Sequence, residues 1–265
     1  MIIFSNVIAI AQRELQGYFT SPLAYIVAAV FWFISGLFFV EILIGEQGFI
    51  QQIALSERTG ANLGAIDVAT EFLSSFLAIL GSLSLLIVPL LSMGLYTEEK
   101  KRGTLELLAT SPITNWAVAI GKLLAVVILF SLMILPALIY EAIAFTAAEP
   151  SMPLGVPLIA HLGLILLAAS LLSWGMFISS LTNSSILAAI LTFALVLLQW
   201  IIELIANSFS GSIRELLLYL SPIESYSNFV QGIVNLSDFI LFFSYIFLGI
   251  FLTSQSIHSL RLNRQ

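Results

Sequence analysis

The sequence predicts an all-α integral membrane protein with six transmembrane helices, and three observations lead to this fold class. Hydrophobic residues make up 60 % of the 265 residues, whereas charged residues make up only 9 %. Soluble domains carry about 25 % charged residues, so the composition excludes a soluble enzyme and a disordered chain. Several charge-free apolar runs are long enough to cross a bilayer, which takes about 20 residues. The runs are continuous rather than alternating, which excludes a β-barrel.

The charge pattern divides the chain into six spans within one membrane domain, residues 1–265. The charge-free stretch Pro150–Ile202 is too long for a single crossing. The polar cluster Ser179–Ser185 divides it into two helices joined by a tight turn. The predicted spans cover residues 22–44, 72–95, 123–147, 155–179, 186–206 and 239–257.

The distribution of lysine and arginine predicts that both termini are cytoplasmic. Six spans place most of the nine cations on one side of the membrane, and cytoplasmic loops are enriched in such residues. These cations are Arg13, Lys100, Lys101, Arg102, Lys122, Arg261 and Arg264. Only Arg58 and Arg214 fall on the other side. A cleaved signal peptide is not expected, because Arg13-Glu14 precede a span of full length.

An amphipathic helix is predicted before the first span. Apolar residues recur there at three- and four-residue steps, as on one face of a helix. This face consists of Phe4, Ile8, Ala11, Leu15 and Phe19. The alternative is a plain extension of the first span, but Ser21-Pro22 favour a break. We therefore expect an interfacial helix on the cytoplasmic surface.

Residues 96–122, called the coupling segment below, carry the densest charge of the chain. Thr97 is predicted to cap a short helix with acids in its first turn, and Gly103 to interrupt it. A solvated loop would explain the cations but neither the interleaved acids nor the neighbouring leucines. A short helix with both charge signs and an exposed leucine face is typical of a docking surface for a soluble partner. The residues predicted to bind this partner are Glu98, Glu99, Lys101, Arg102, Gly103, Thr104, Leu105, Glu106, Leu107 and Leu108.

Three stretches resemble type-2 ABC transporter permeases, and among these the gliding-motility-type branch. The first is T-E-E-K-K-R-G-T-L-E-L-L-A-T-S-P-I, followed by Gly121-Lys122. The second is Arg13-Glu14-Leu15 with residues 18–22, and the third is Ser221-Pro222 with residues 226–234. They lie at the start, middle and end, so the resemblance covers essentially the whole chain.

The resemblance implies a half-transporter in the bacterial plasma membrane. It would pair with a second permease copy or a homologous permease, and its coupling segment would dock a separate ATP-binding subunit. ATP and Mg are then expected on that subunit, with no cofactor or metal on this chain. The residues agree, because the Gly121-Lys122 pair has Trp116 where a phosphate-binding GxxxxGK motif has its first glycine. Membrane lipid is an expected partner, and nucleic acid is not, since the net charge is −6.

Residues 207–238 predict an outer helical hairpin that dips into the outer leaflet, as in similar permeases, where it narrows the exit. Ile213, Leu216, Leu217 and Leu220 share one helical face, and Pro222 breaks that helix. A second face follows, and the residues singled out in this part are Pro222, Tyr226, Phe229 and Gly232. Packing on the outer helix ends is a compatible alternative.

Three acids, Glu41, Glu141 and Glu203, lie toward the outer ends of predicted spans. They would attract a cationic substrate to an outer vestibule if they shared one depth and faced the conduit. The alternative, which their depth favours, is that each carboxylate reaches the lipid headgroups at little cost. His161 is expected to be a hydrogen-bonded packing residue rather than a ligand.

Four function classes differ in the residues that they require. An ion-gradient-driven secondary transporter would have ionisable groups near the midplane of the bilayer, where this sequence offers none. An intramembrane enzyme would need a nucleophile–base or paired-acid constellation, which is not recognisable here. A non-transporting membrane scaffold would not require the coupling segment. The sequence therefore predicts the permease subunit of an ATP-driven exporter, with the secondary transporter and the scaffold as alternatives.

Overall fold

The computed structural model describes residues 2–59, 68–104, 113–146, 153 and 155–262. Within these ranges the chain consists of helices joined by turns, without a β-strand. The helices of the described part are α1 (Ile2–Thr20), α2 (Pro22–Ile44), α3 (Phe49–Thr59), α4 (Val68–Ser92), α5 (Thr97–Arg102), α6 (Asn115–Thr146), α7 (Gly155–Leu181), α8 (Ser185–Ala206), α9 (Ser212–Tyr219), α10 (Pro222–Val230) and α11 (Leu236–Leu262).

Six helices are long and apolar enough to cross a membrane, which confirms the predicted number. They are α2, α4, α6, α7, α8 and α11. The largest boundary difference is at α6, which begins at Asn115 rather than at residue 123. The hydroxyl of Thr114 accepts a hydrogen bond from the backbone N–H of Ala117, at 3.3 Å, and so caps this earlier start. Hydropathy marks only the apolar part of a helix, whereas its cap decides where it begins.

The first helix is separate from the first span, as predicted. Ser21 is extended, with φ −90° and ψ 123°, and Pro22 opens α2. α1 packs along α6, and the residues that contribute to this packing include Ala11, which is 3 % exposed. Three members of the predicted apolar face, Phe4, Ile8 and Phe19, remain exposed in the single chain.

α7 lies at the centre of the bundle and contacts α4, α6, α8, α10 and α11. Most of its side chains from Ala160 to Ser180 are buried. An aromatic cluster joins the neighbouring spans, with Phe72 stacked on Phe76 within α4 and Phe39 of α2 stacked on Tyr140 of α6. Lipid is as apolar as these rings, so close packing rather than burial from water holds the spans together.

Two short helices, α9 and α10, lie between α8 and α11, in the stretch for which the helical hairpin is predicted. Ser221 precedes α10, and its hydroxyl accepts a hydrogen bond from the backbone N–H of Glu224. α10 is buried along one side, whereas α9 has no buried residue. Ile213, Leu216 and Tyr219 of α9 are exposed in the single chain.

Glycine allows α10 to dock closely on the bundle. A Cβ atom at Gly163 of α7 would lie 2.5 Å from the Cβ of Phe229, and one at Gly81 of α4 would lie 2.6 Å from the Tyr226 ring. Both distances are shorter than any van der Waals contact. Any larger residue at either position therefore has to displace α10.

We predict that Gly163→Val lowers the stability of the purified protein by about 1–3 kcal/mol, because it overpacks the contact with Phe229. Gly155→Val on the same helix is the matched control, since a Cβ there meets no atom within 4 Å. Thermal unfolding in detergent measures the difference. Equal melting temperatures for the two variants would show that α10 is not held at Gly163.

Candidate functional site

The coupling segment begins with the short helix α5. Its charged residues are arranged in the order that the helix dipole favours. Its first turn carries Glu98 and Glu99, and its last turn carries Lys100, Lys101 and Arg102. Acids near a helix N-terminus and cations near its C-terminus stabilise the helix by about 0.3–1 kcal/mol each. This order explains why so short a helix forms between two longer ones.

The prediction that Thr97 caps α5 is wrong. Thr97 is the first residue inside the helix, and its hydroxyl donates to the carbonyl of Met93 at 2.7 Å. The free backbone N–H groups of Tyr96 and Thr97 instead donate to the hydroxyl of Ser179, at 3.0 and 3.3 Å. A serine of α7 therefore supplies the cap that sequence alone assigned to a neighbouring threonine.

α5 also binds the turn that joins α7 to α8. The Lys100 ammonium donates to the carbonyl of Ser180 at 2.6 Å, and the Lys101 ammonium donates to the hydroxyl of Ser185 at 3.1 Å. The hydroxyls of Thr97 and Ser185 lie 2.7 Å apart. The sequence predicts Ser179–Ser185 only as a turn, and Lys100 is not among the predicted partner-binding residues.

Gly103 ends α5 as predicted. Its φ of 70° lies in the left-handed region, which side chains other than glycine adopt rarely. The backbone N–H groups of Gly103 and Thr104 donate to the carbonyls of Lys100 and Glu99. This hydrogen-bonding pattern is typical of helix C-termini that close on glycine.

Some of the predicted partner-binding residues lie on the exposed face of α5, and others lie on the face that packs against the bundle. The side chains of Glu98 and Arg102 are 58 % and 75 % exposed and form an i,i+4 ion pair at 3.6 Å. Lys101 and Gly103 are also exposed, and Thr104 is half-buried. Glu99 points inward and is only 17 % exposed. Leu105, Glu106, Leu107 and Leu108 lie outside the described residues.

The inward side of α5 meets a buried lysine. The Nζ of Lys122 on α6 lies 2.9 Å from a carboxylate oxygen of Glu14 on α1 and 3.1 Å from one of Glu99 on α5. The lysine side chain is 2 % exposed, and its ammonium lies 5.2 Å from the centre of the Tyr96 ring. One cation therefore joins three helices, and two carboxylates with an aromatic face compensate its burial.

Tyr18 of α1 borders this cluster. Burial, together with the carboxylates of Glu14 and Glu98, raises the pKa of its hydroxyl well above the usual range. The phenol therefore stays neutral at physiological pH and adds no further negative charge beside the two acids.

Sequence reasoning did not find the Lys122 cluster. Glu14 and Lys122 are 108 positions apart, and charge patterns do not indicate which distant residues meet. One signal was present: Glu14 and Lys122 both lie in the stretches that resemble type-2 permeases. The structure brings Glu14, Glu99 and Lys122 of those stretches together.

The three outer acids do not form one group. Glu41 is exposed, Glu203 is half-buried and Glu141 is 1 % exposed. Among the described residues, no ion pair or hydrogen bond joins any two of them. Glu141 instead faces His161 of α7, with 3.6 Å between Oε1 and Nε2, and so it points into the protein rather than to the headgroups. His161 is buried, and its Nδ1 is hydrogen-bonded to the backbone, as expected for a packing residue.

The outer residues singled out in the sequence all lie in α10 or in the turn that follows it. Pro222 opens the helix, and Phe229 is fully buried. The hydroxyl of Tyr226 donates to the carbonyl of Leu77 at 2.6 Å. Gly232 has a φ of 74° in the turn that ends α10. These residues attach α10 to α4 and α7.

We predict that Lys122→Met destabilises the protein by about 3–5 kcal/mol, because it leaves two carboxylates beside a buried apolar side chain. Removing the charges of all three residues, as Glu14→Gln, Lys122→Met and Glu99→Gln, restores most of that stability. Lys101→Met is the matched control, since among the described residues its exposed ammonium contacts only the hydroxyl of Ser185. Thermal and denaturant unfolding measure all variants. Equal losses for Lys122→Met and Lys101→Met would contradict the role of the buried cation.

Comparison with known proteins agrees with this architecture. The family model described as ABC-2 family transporter protein matches residues 8–260. This range extends from α1 into α11 and includes α5 and Lys122. A search among curated proteins gives no significant match. Since the family model covers nearly the whole chain, the chain belongs to the ABC-2 transporter family and is the membrane permease of an ABC transporter.

Proposed function

We propose that this permease forms the conduit of an ATP-driven exporter and docks a separate ATP-binding subunit on the outer face of α5. The observation that carries the proposal is the division of α5. Its exposed side presents Glu98, Lys101 and Arg102, whereas its other side is bonded to the bundle through Glu99 and Lys100. A surface that receives force from a partner needs both an accessible face and a fixed attachment.

The chain's own residues support a separate ATP-binding subunit. Gly121-Lys122, the pair that could have belonged to a phosphate-binding loop, lies inside α6, and its lysine contacts two carboxylates. A phosphate-binding lysine instead stands in a glycine-rich loop with free backbone N–H groups. ATP and Mg therefore belong to the partner in this proposal.

A displacement of α5 would reach most of the spans directly. Lys122 connects α5 to α6 and to α1, and Ser179 connects it to α7. Ser185 at the start of α8 contacts Thr97. When α5 moves, the packed helices would change from one discrete arrangement to another. A conduit that opens first to one side of the membrane and then to the other requires such a change.

We place the α5 end of the bundle in the cytoplasm and the protein in a bacterial plasma membrane. α5 itself carries Lys100, Lys101 and Arg102, and Lys122 contacts Glu99 of α5 and Glu14, the neighbour of Arg13 in α1. These five cations therefore lie toward one end, in agreement with the positive-inside rule. α9 and α10 then lie at the opposite, outer end. There the exposed apolar face of α9 is suited to the outer leaflet, and α9 and α10 would narrow the exit of the conduit.

Within the family, we assign the chain to the gliding-motility-type branch.

A dimer would bury part of the large apolar surface of the single chain. α2 and α8 expose most of their side chains, including Phe33 and Phe38 on the first and Ile186 and Leu198 on the second. A second permease copy or a homologous permease covers one part of this surface in our proposal, and lipid covers the rest.

A charge reversal on the outer face of α5 tests the docking site. Arg102→Glu is expected to reduce co-purification of the ATP-binding subunit about tenfold, which corresponds to the loss of about 1.4 kcal/mol of contact energy. The stability of the permease itself should change little, because Arg102 is mostly exposed. Affinity purification of the tagged permease from its native membrane, with ATPase activity as a second readout, measures the effect.

Arg214→Glu is the matched control, since it makes the same charge change at an exposed position of α9. It should leave both readouts unchanged. Normal co-purification and ATPase activity with Arg102→Glu would refute docking on α5. Loss with Arg214→Glu instead would place the partner at the other end of the bundle and reverse the proposed orientation.

A further inference from the structure

A second buried polar pair lies far from α5 and has no role in the proposed coupling. Glu141 near the end of α6 faces His161 near the start of α7, with 3.6 Å between the carboxylate Oε1 and the imidazole Nε2. Their exposed fractions are 1 % and 5 %. Apolar helix packing surrounds them, so each polar atom needs a partner to compensate its burial.

The hydrogen-bonding pattern shows that Glu141 and His161 would face each other without a hydrogen-bond donor if both were in their usual states at neutral pH. The Nδ1 of His161 lies 2.9 Å from the carbonyl oxygen of Pro157. A carbonyl only accepts, so Nδ1 must carry a hydrogen, and in a neutral ring Nε2 is then a bare acceptor. An ionised carboxylate is also only an acceptor. Two acceptors would thus face each other, and neither has another hydrogen-bond partner in the described part of the chain.

No other described group supplies this hydrogen. Tyr226 of α10 lies within electrostatic range of Glu141, but its hydroxyl already donates to the carbonyl of Leu77 at 2.6 Å. Burial raises the pKa of Tyr226 well above the usual range, so it does not release its proton. The acids on the surrounding elements form neither ion pair nor hydrogen bond with the pair. They are Glu41 on α2, Glu71 on α4, Glu203 on α8, Glu224 on α10 and Asp238 on α11.

We propose that Glu141 and His161 form a buried binding site for one proton, which is carried on Oε1 of Glu141 and donated to Nε2 of His161. The separation of 3.6 Å is too short for a bridging water, and it closes to a hydrogen bond of about 2.7–3 Å once a proton lies between the two atoms. The proton stays on the carboxyl because a neutral pair avoids the cost of two charges in an apolar interior. The site bonds α6 to α7 in the outer half of the membrane.

Proton binding makes the stability of the protein depend on pH with a definite sign. In the unfolded chain Glu141 and His161 titrate near about 4.3 and 6.5, so above about pH 7 the unfolded state has released a proton that the folded state keeps. The folded state then binds more protons than the unfolded state. Stability is therefore lost as the pH rises from neutral to alkaline values.

The pH dependence of thermal unfolding tests the site. The melting temperature of the wild-type protein should fall steadily between about pH 7 and pH 9. Glu141→Gln should show a flatter curve, because its amide N–H donates to Nε2 and does not titrate. Glu41→Gln is the matched control, because this acid of α2 is exposed and faces no histidine among the described residues, and it should follow the wild type. Parallel curves for Glu141→Gln and wild type would overturn the proposal.

Infrared spectroscopy of the full-length protein in lipid provides an independent measurement. The wild type at neutral pH should show the C=O stretch of a buried protonated carboxyl group, which Glu141→Gln removes. If Glu141→Gln does not fold, His161→Gln takes its place, and loss of the imidazole acceptor should shift the same band. A wild-type spectrum without a protonated carboxyl band at neutral pH would overturn the proposal whatever the variants do.

Discussion

One buried ammonium group holds together the end of the bundle on which the proposed function depends. Lys122 has no exposed path to water and contacts one carboxylate from α1 and another from α5. A buried cation with its partners removed is costly, so the three helices keep their relative positions as long as the pair of acids is in place. The exposed face of α5 therefore keeps a fixed position on the bundle, although α5 itself is only six residues long.

The second constraint on α5 is hydrogen bonding rather than charge. Ser179 satisfies the free N–H groups at its start, and Gly103 allows the chain to turn away at its end. A helix of this length is not stable alone in water, because few of its hydrogen bonds are internal. α7 and the turn before α8 supply the hydrogen-bond partners that α5 does not have within itself. These bonds couple α5 to the centre of the bundle.

The fold was largely predictable, because its determinants are local. Charge-free runs indicate the spans, Ser21-Pro22 separates α1 from α2, and Gly103 interrupts the coupling segment. The Lys122 cluster was not predictable, since Glu14 and Lys122 are distant in sequence and the rotation of each helix about its axis decides which residues meet. Glu141 illustrates the same limit: its place near the end of α6 was predictable from the sequence, but the side of α6 that faces His161 was not. Ser179 was missed because a cap supplied by another helix leaves no local signal.

The central claim is that Lys122 holds α1 and α5 against α6 as one unit, and hydrogen–deuterium exchange tests it most directly. The full-length permease and its Lys122→Met variant would be compared in lipid, with exchange followed in the segments of α1 and α5. The account predicts faster exchange in both segments of the variant, with α10 at the other end of the bundle unchanged. Faster exchange confined to α6 around position 122, with α1 and α5 as protected as in the wild type, would contradict it.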